Sequence, residues 1–369
     1  MKYFLHIIGN HNASSSFVNQ IAKVYPYNNI VIKINDNDKV IEVSKDGNQY
    51  RFDDYNKFNR LFDISLISVI IVHYLDFSKE RFIKHCLNKN TPIIWWMYGQ
   101  DLYSRLYLKG YNLYAPQTLQ FVHYRARNPI TYLRHLRFEW RKHRLDKRIF
   151  KQIVGVIPCE MPDYELACSL LNRKVDLVDI YTRSFVANDA FSYGNDICIG
   201  HSASLTGNHL YAFDHLKGIC LKNSEIWMPL SYTVQSEQYR QFVVDTYKRE
   251  YGDKVHFIFD FQDLETYRAN FAKYKVAIYT TWRQEALNNI FTCFQLGIKV
   301  YLSKYNPCYK FFKSQGYILY AIEDLACTDE LTPLTQEEKI HNRQLFRQIK
   351  AQRDEISHSN IRDYFAKYM

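Results

Sequence analysis

The feature that most constrains this chain is an alternation of short apolar runs with polar, helix-periodic ones, which starts, breaks off and starts again within 369 residues. Short apolar runs bounded by turn residues suit strands buried on both faces. In the first half, Tyr3–Ile8, Ile30–Ile34, Ser68–Val72, Pro92–Met97 and Val154–Pro158 read as strands. Phe77–Leu87 and Met161–Leu171 read as helices between and after them. The pattern restarts near residue 195, with strands predicted at Asp196–Gly200, Glu225–Met228, Val255–Phe259, Val276–Tyr279 and Lys299–Leu302. Helices are predicted at His209–Cys220, Glu237–Tyr251, Ala286–Leu296 and Gln336–Gln352, with another at Ile361–Met369. Strand–helix alternation implies a parallel sheet covered by helices. The expected fold class is therefore α/β, with two doubly wound, Rossmann-like domains. Ligands of such sheets sit beyond the carboxyl ends of the strands, here in a cleft between the domains. The expected division is 1–190, 191–335, and C-terminal helices over 336–369 packing back on the first domain. The polar segment Phe185–Asn195 is the expected linker.

Composition narrows the function. The chain is 47% hydrophobic and 23% charged, with a formal net charge of +10. Much of that excess is local. Within 123–150, nine Lys and Arg face only Glu139 and Asp146. Ile130, Leu133, Leu136 and Trp140 recur among the cations at near-helical spacing. Such a stretch, with Arg134, Arg137, Arg141 and Lys142 at its centre, suits an anionic membrane surface or a lipid diphosphate. A merely solvated helix is the plainer reading. Nucleic acid is the competing partner, but no recognised module accompanies the charge, so none is expected. The eight cysteines include no C-x-x-C pair and lie partly in apolar runs, which points to buried thiols in a reducing compartment. The opening residues are interrupted too soon for a signal peptide. Ile64–Val72, the longest apolar run, is about half a membrane span.

Three strand-end segments could carry chemistry. Gly200-His201-Ser202-Ala203-Ser204-Leu205-Thr206-Gly207-Asn208-His209 joins a strand to a helix with small and hydroxyl residues. Backbone N–H groups and a helix N-terminus there would attract phosphate; an ordinary capped turn is the alternative. Thr280-Thr281-Trp282-Arg283-Gln284-Glu285 follows another strand. Arg283 there could hold a diphosphate bidentately and stabilise it as a leaving group without a metal. A surface arginine or an ion pair with Glu285 is the alternative. Trp95-Trp96-Met97-Tyr98-Gly99-Gln100-Asp101-Leu102-Tyr103 places Asp101 just past a strand end, as a base for a hydroxyl or as a helix-capping residue. Asp36-Asn37-Asp38 reads as a polar loop, and His201, His209 and His215 fit no usual zinc spacing. No metal or cofactor is expected.

Taken in order, these segments resemble the TDP-N-acetylfucosamine:lipid II N-acetylfucosaminyltransferases, glycosyltransferase family 56. The family's W-G-x-D-L-Y is resembled by Tyr98–Tyr103, its G-N-S-x-x-x-x-N-x-H by Gly200–His209, and its P-M-x-Y by Pro229-Leu230-Ser231-Tyr232. Its R-Q-Q-x-x-G, Q-x-G and N-P are resembled by Arg283-Gln284-Glu285, Gln295-Leu296-Gly297 and Asn306-Pro307. His201 and Glu285 replace family residues. The resemblance spans roughly residues 90–310. It implies a metal-independent hexosyltransferase of GT-B fold, peripheral at the cytoplasmic face of a bacterial inner membrane. The donor would be a TDP-, UDP- or GDP-linked amino- or deoxy-hexose. The acceptor would be an undecaprenyl-diphosphate-linked saccharide destined for a surface polysaccharide. The expected catalytic pair is Asp101 and Arg283. Donor binding would fall to Ser202, Asn208, His209, Pro229, Tyr232, Arg283, Gln284 and Asn289. Acceptor or membrane binding would fall to Tyr98, Tyr103 and the basic stretch. A non-catalytic scaffold of the same fold, binding polysaccharide or a partner enzyme, is the alternative.

Overall fold

The structure, a computed structural model, describes residues 2–9, 12–34, 41–45, 48–52, 55–87, 90–122, 130, 133, 137, 147–181, 190–326 and 330–369. The chain divides into two compact units. The first comprises 1–111, 134–182 and 351–369; the second comprises 112–133 and 183–350. Several details differ from the expected boundaries, among them a second unit whose main segment begins at 183 and not at 191. Residues 112–133 belong to the second unit, and so does the first part of the C-terminal helix. That helix is continuous from Gln336 to Ala366.

The first unit is built on an eight-stranded sheet of order β4-β3-β2-β1-β5-β6-β7-β8. Its strands are β1 (Tyr3–Ile8), β2 (Asn29–Ile34), β3 (Ile41–Lys45), β4 (Asn48–Phe52), β5 (Ile67–His73), β6 (Ile93–Trp96), β7 (Ile153–Ile157) and β8 (Asp176–Leu177). From β2 to β8 neighbours are parallel. β3 and β4 add an antiparallel hairpin at the β2 edge. The central strands are largely apolar, as suits strands covered on both faces; all four residues of β6 are buried. Phe4, Val69, Ile71, Ile94, Trp96 and Ile157 share one core with Ile361 and Phe365 of the C-terminal helix.

The second unit carries a six-stranded sheet of order β11-β10-β9-β12-β13-β14. The strands are β9 (Asp196–Ile199), β10 (Ile226–Pro229), β11 (Val255–Ile258), β12 (Tyr274–Tyr279), β13 (Lys299–Leu302) and β14 (Tyr320–Ala321). All neighbours are parallel. This is the doubly wound order, whose winding reverses between β9 and β12. Local chemistry starts the helices. Ser236 caps Glu237–Tyr251 through the Tyr239 amide. Asp263 caps Leu264–Phe271 through two amides. Asn306 caps Pro307–Ser314, with proline at the first helical position. No helix among the described residues is long and apolar enough to cross a membrane.

Candidate active site

In the second unit, two loops leave the sheet where its winding reverses. One follows β9 and the other follows β12, which are neighbours. The β9 loop opens on Gly200 (φ +73°), which a side chain would strain. The ring of His209 packs against it: a Cβ on Gly200 would lie 2.7 Å from Nε2, and one on Gly207 would lie 2.6 Å from Cε1. His209 is 1% exposed, and burial pushes its imidazole down to about 4. It is therefore a neutral packing element, with Tyr239 Oη 3.2 Å from Nδ1. Asn208 (φ +49°) is also spent internally. Its amide donates to the carbonyls of Leu113 and Thr280 and accepts from the Ala115 N–H. Thr280 Oγ1 ties the two loops together, donating to the Gly207 carbonyl at 2.8 Å.

The β12 loop carries the charge. Arg283 Nη2 lies 2.8 Å from Glu285 Oε1, with side chains 12% and 9% exposed. Arg283 Nε donates to Thr206 Oγ1 at 3.3 Å, and Thr206 in turn donates to Glu285 Oε2 at 2.8 Å. Ser204 Oγ donates to Glu285 Oε1, and Ser202 Oγ to Ser204 Oγ. His201 Nε2 stands 3.4 Å from the same carboxylate. Burial alone would raise the Glu285 pKa. The Arg283 guanidinium, with the bonds from His201 and Thr206, outweighs burial and holds it at about 2. Asn306, 1% exposed, fixes the loop by donating to Thr281 Oγ1 and to the Arg283 carbonyl at 2.7 Å.

Four buried polar atoms here have no partner among the described residues: His201 Nδ1, His209 Nε2, Trp282 Nε1 and Gln284 Oε1. Buried polar groups in native proteins are nearly always bonded, so such atoms together call for a ligand or solvent. Helix Leu287–Leu296 starts beside them at Ala286, in the left-handed region (φ +59°), without a side-chain cap. Its first N–H groups and its dipole favour an anion.

The other predicted donor residues divide. Ser202 is 1% exposed and acts through Ser204. Gln284 is 6% exposed, while Tyr232 is 59% exposed. Pro229 is buried at the end of β10. Asn289 donates to Tyr267 Oη at 2.7 Å. Sequence reading missed Ser204, Thr206 and His201 as partners of Glu285, although the hydroxyl-rich loop was the signal.

In the first unit, Asp101 is 3% exposed, and its carboxylate is fully engaged. Oδ2 accepts from Trp95 Nε1 at 2.7 Å and from the Leu75 N–H at 3.0 Å; Oδ1 accepts from the Tyr98 N–H at 3.0 Å. These bonds pin the segments after β5 and β6 together. Burial raises its pKa, against the bonds from Trp95, Tyr98 and Leu75 and the charge of Arg105. Arg105 itself pairs with Glu80 at 2.9 Å. Tyr103 is fully buried and donates to Asp163 at 2.7 Å. Tyr98 is half-buried. In the basic stretch, Ile130, Leu133 and Arg137 are helical and exposed. Arg134, Arg141 and Lys142 lie outside the described residues, as does Asp36-Asn37-Asp38. No group of three or more His, Cys, Asp or Glu among the described residues is placed to hold a metal.

No protein-family model and no curated protein matches the chain. Solved structures do. A UDP-forming α,α-trehalose-phosphate synthase from Burkholderia vietnamiensis matches with TM-score 0.58 at 11% identity, covering 100% of this chain and 98% of that one. The N-terminal domain of a Candida albicans trehalose-6-phosphate phosphatase matches with TM-score 0.57 at 9% identity, covering 100% and 96%. A glycosyltransferase from Rickettsia africae matches with TM-score 0.51 at 11% identity, covering 100% and 98%. At such identity the likeness is one of fold, and the fold is GT-B: two Rossmann-like α/β units, each doubly wound.

Proposed function

We propose that the chain is a glycosyltransferase whose second unit holds a nucleotide-diphosphate sugar at the ends of β9 and β12. The observation that carries this is the cluster there: a buried guanidinium, an uncapped helix start and four unpartnered polar atoms. Transfer forms a bond between the anomeric carbon and an acceptor oxygen. It breaks the bond to the diphosphate, which leaves with the electron pair. Arg283 and the N-terminus of Leu287–Leu296 meet that new charge where it develops, the most effective place for a fixed cation. Gln284 and Trp282 have polar atoms to offer the sugar or the nucleoside.

The finer reading rests on the sequence resemblance. It gives an N-acetylfucosamine-like amino- or deoxy-hexose as the donor sugar and an undecaprenyl-diphosphate-linked saccharide as acceptor. The basic stretch 123–150 would bring the protein to the anionic cytoplasmic face of the inner membrane. Leaving-group stabilisation by Arg283 asks for no metal. The experiment is a thermal-stability screen against TDP-, UDP- and GDP-sugars, followed by transfer assays with the donors that raise Tm. Stabilisation by none of them, or by all equally with and without Arg283, removes the reading. A second reading has one observation in its favour: Glu285 already neutralises Arg283, as suits a non-catalytic scaffold. Binding without transfer or hydrolysis would establish that alternative.

A further inference from the structure

The β9 and β12 loops of the second unit hold one arginine and no lysine. Arg283 is matched by Glu285, so the two fixed charges there cancel. A nucleoside diphosphate esterified to a sugar brings two negative charges. The helix start at Ala286 answers part of that charge. The remaining groups in these loops that can become cations are imidazoles, and histidine is the side chain whose ordinary titration spans the neutral range.

His201 stands where such a cation is needed. Glu285 Oε1 accepts from Arg283 Nη2 at 2.8 Å and from Ser204 Oγ at 3.3 Å, and His201 Nε2 lies 3.4 Å from the same oxygen. Glu285 is held ionised, at about 2, so its oxygens only accept. His201 therefore carries a proton on Nε2, and Nδ1 is the free end of the ring: bare when the imidazole is neutral, a donor when it is charged. Nδ1 is buried and has no partner among the described residues, although the side chain as a whole is 15% exposed and borders solvent. His209 is the other imidazole of the loop, and it is committed elsewhere. Its Nδ1 lies 3.2 Å from Tyr239 Oη, its ring is wedged against Gly200 and Gly207, and burial, then the charge of His201, pushes it down to about 4. The charged and titratable groups facing His201 are thus Glu285 and Arg283 from the β12 loop, and His209 from helix His209–Leu216.

We propose that His201 is a ligand of the donor's diphosphate and binds it as an imidazolium, so that the nucleotide enters the second unit together with a proton. The proposal rests on the nucleotide-sugar reading and deepens it. With the diphosphate in place the ring stands between two anions: the Glu285 carboxylate on Nε2, and a phosphate oxygen met by Nδ1, directly or through one water. Opposite charges on both sides favour the charged ring. In the free site a neutral ring leaves Arg283 and Glu285 balanced. In the complex the imidazolium restores the positive charge that Glu285 cancels. The sign of the linkage follows. Binding takes up a proton, so affinity falls as pH rises through the range where the free ring is neutral and the bound ring is charged.

Titration calorimetry tests this, with UDP, TDP, GDP and UDP-glucose as probes. At about pH 7.5 the terminal phosphate of a free nucleotide, with a second pKa of about 6, is almost fully ionised. UDP-glucose has no such group at all. In buffers of low and high ionisation enthalpy, the binding enthalpies should report uptake approaching one proton per nucleotide, for UDP-glucose as for UDP. Between about pH 6.5 and pH 8.5 the Kd of UDP-glucose should rise by up to about tenfold per pH unit. His201→Asn and His201→Gln keep a polar group toward Glu285 but cannot take the proton. Both should bind about tenfold more weakly at neutral pH, take up no proton and show a flat Kd over the same range. Wild-type binding without proton uptake overturns the proposal, whatever the variants do. Undiminished uptake in both variants also overturns it, because the proton then sits elsewhere. A wild type that binds none of the four probes removes the parent reading and this one together.

Discussion

Arg283 and Glu285, two positions apart beyond β12, neutralise one another at 2.8 Å, and Thr206 bonds to both. The cation proposed to meet the diphosphate is thus already matched by an anion of its own loop. Glu285→Gln removes that anion and leaves a guanidinium that is 12% exposed without a counter-charge. The free protein should lose about 2–4 kcal/mol. A nucleoside diphosphate then replaces the missing charge, so 1 mM UDP should raise Tm more in Glu285→Gln than in the wild type. In Arg283→Ala the UDP shift should vanish. Equal shifts in all three proteins would show that the diphosphate does not meet Arg283.

The same pair sets an acid limit on stability. The folded pKa of Glu285, about 2, lies below its ordinary 4.5. A depressed carboxyl contributes stability that is complete above 4.5 and is lost as pH falls from there toward about 2. Asp101 works in the other direction, since burial raises it above 3.8 and its contribution declines as pH rises through that region. The stability difference between wild type and Glu285→Gln, from urea unfolding, should therefore shrink steadily from pH 5.5 to pH 3.5. A difference constant with pH would mean that Glu285 is not held ionised by its partners.

Asp101 is a test of structure against catalysis. Its two oxygens accept from one indole and two backbone N–H groups. Asparagine offers one oxygen and a donor, so at least one buried N–H would face another donor. Asp101→Asn should cost about 2–4 kcal/mol in urea unfolding, and Asp101→Ala a similar amount. A variant of wild-type stability that transfers no sugar would return Asp101 to the role of base.

Much of the framework was legible because parallel strands buried on both faces leave a continuous apolar signature. Tyr3–Ile8 and Lys299–Leu302 are read from the sequence with the bounds they have in the structure. The hairpin β3–β4 was not legible in that way, since four of the five β4 residues are exposed and its composition is polar. Its available signal was Asp46-Gly47, between the paired Lys45 and Asn48. The C-terminal helix was read as two because Asp354–Asn360 is polar and rich in weak helix formers. In the structure Ser357 Oγ donates to the Arg353 carbonyl and accepts from the Tyr181 N–H, which keeps that turn helical. In the β12 loop, Arg283 after a strand was readable as charge in a telling place. The partners of Asp101 were not, because Leu75 and Trp95 reach it only through the register of β5 and β6.

The β9 loop's two glycines face the same imidazole but should respond differently to alanine. Gly200 has φ +73°, and its Cβ would lie 2.7 Å from His209 Nε2, so Gly200→Ala meets both backbone strain and a clash. Gly207 has no positive φ, and its obstacle is the ring alone, with Cε1 at 2.6 Å. His209 cannot swing away freely, because it is buried between the loop and Tyr239. Gly207→Ala should therefore destabilise the protein by about 1–3 kcal/mol, as overpacking does, and lower the UDP-induced Tm shift by displacing Thr206 from Arg283. In a His209→Ala background the ring is gone and a methyl at 207 should cost almost nothing. The coupling, measured by urea unfolding of the four proteins, should be at least about 1 kcal/mol. A Gly200→Ala change should stay costly in both backgrounds, since removing the ring does not relieve φ. Additive effects at 207 and 209 would mean that the loop is not packed on His209.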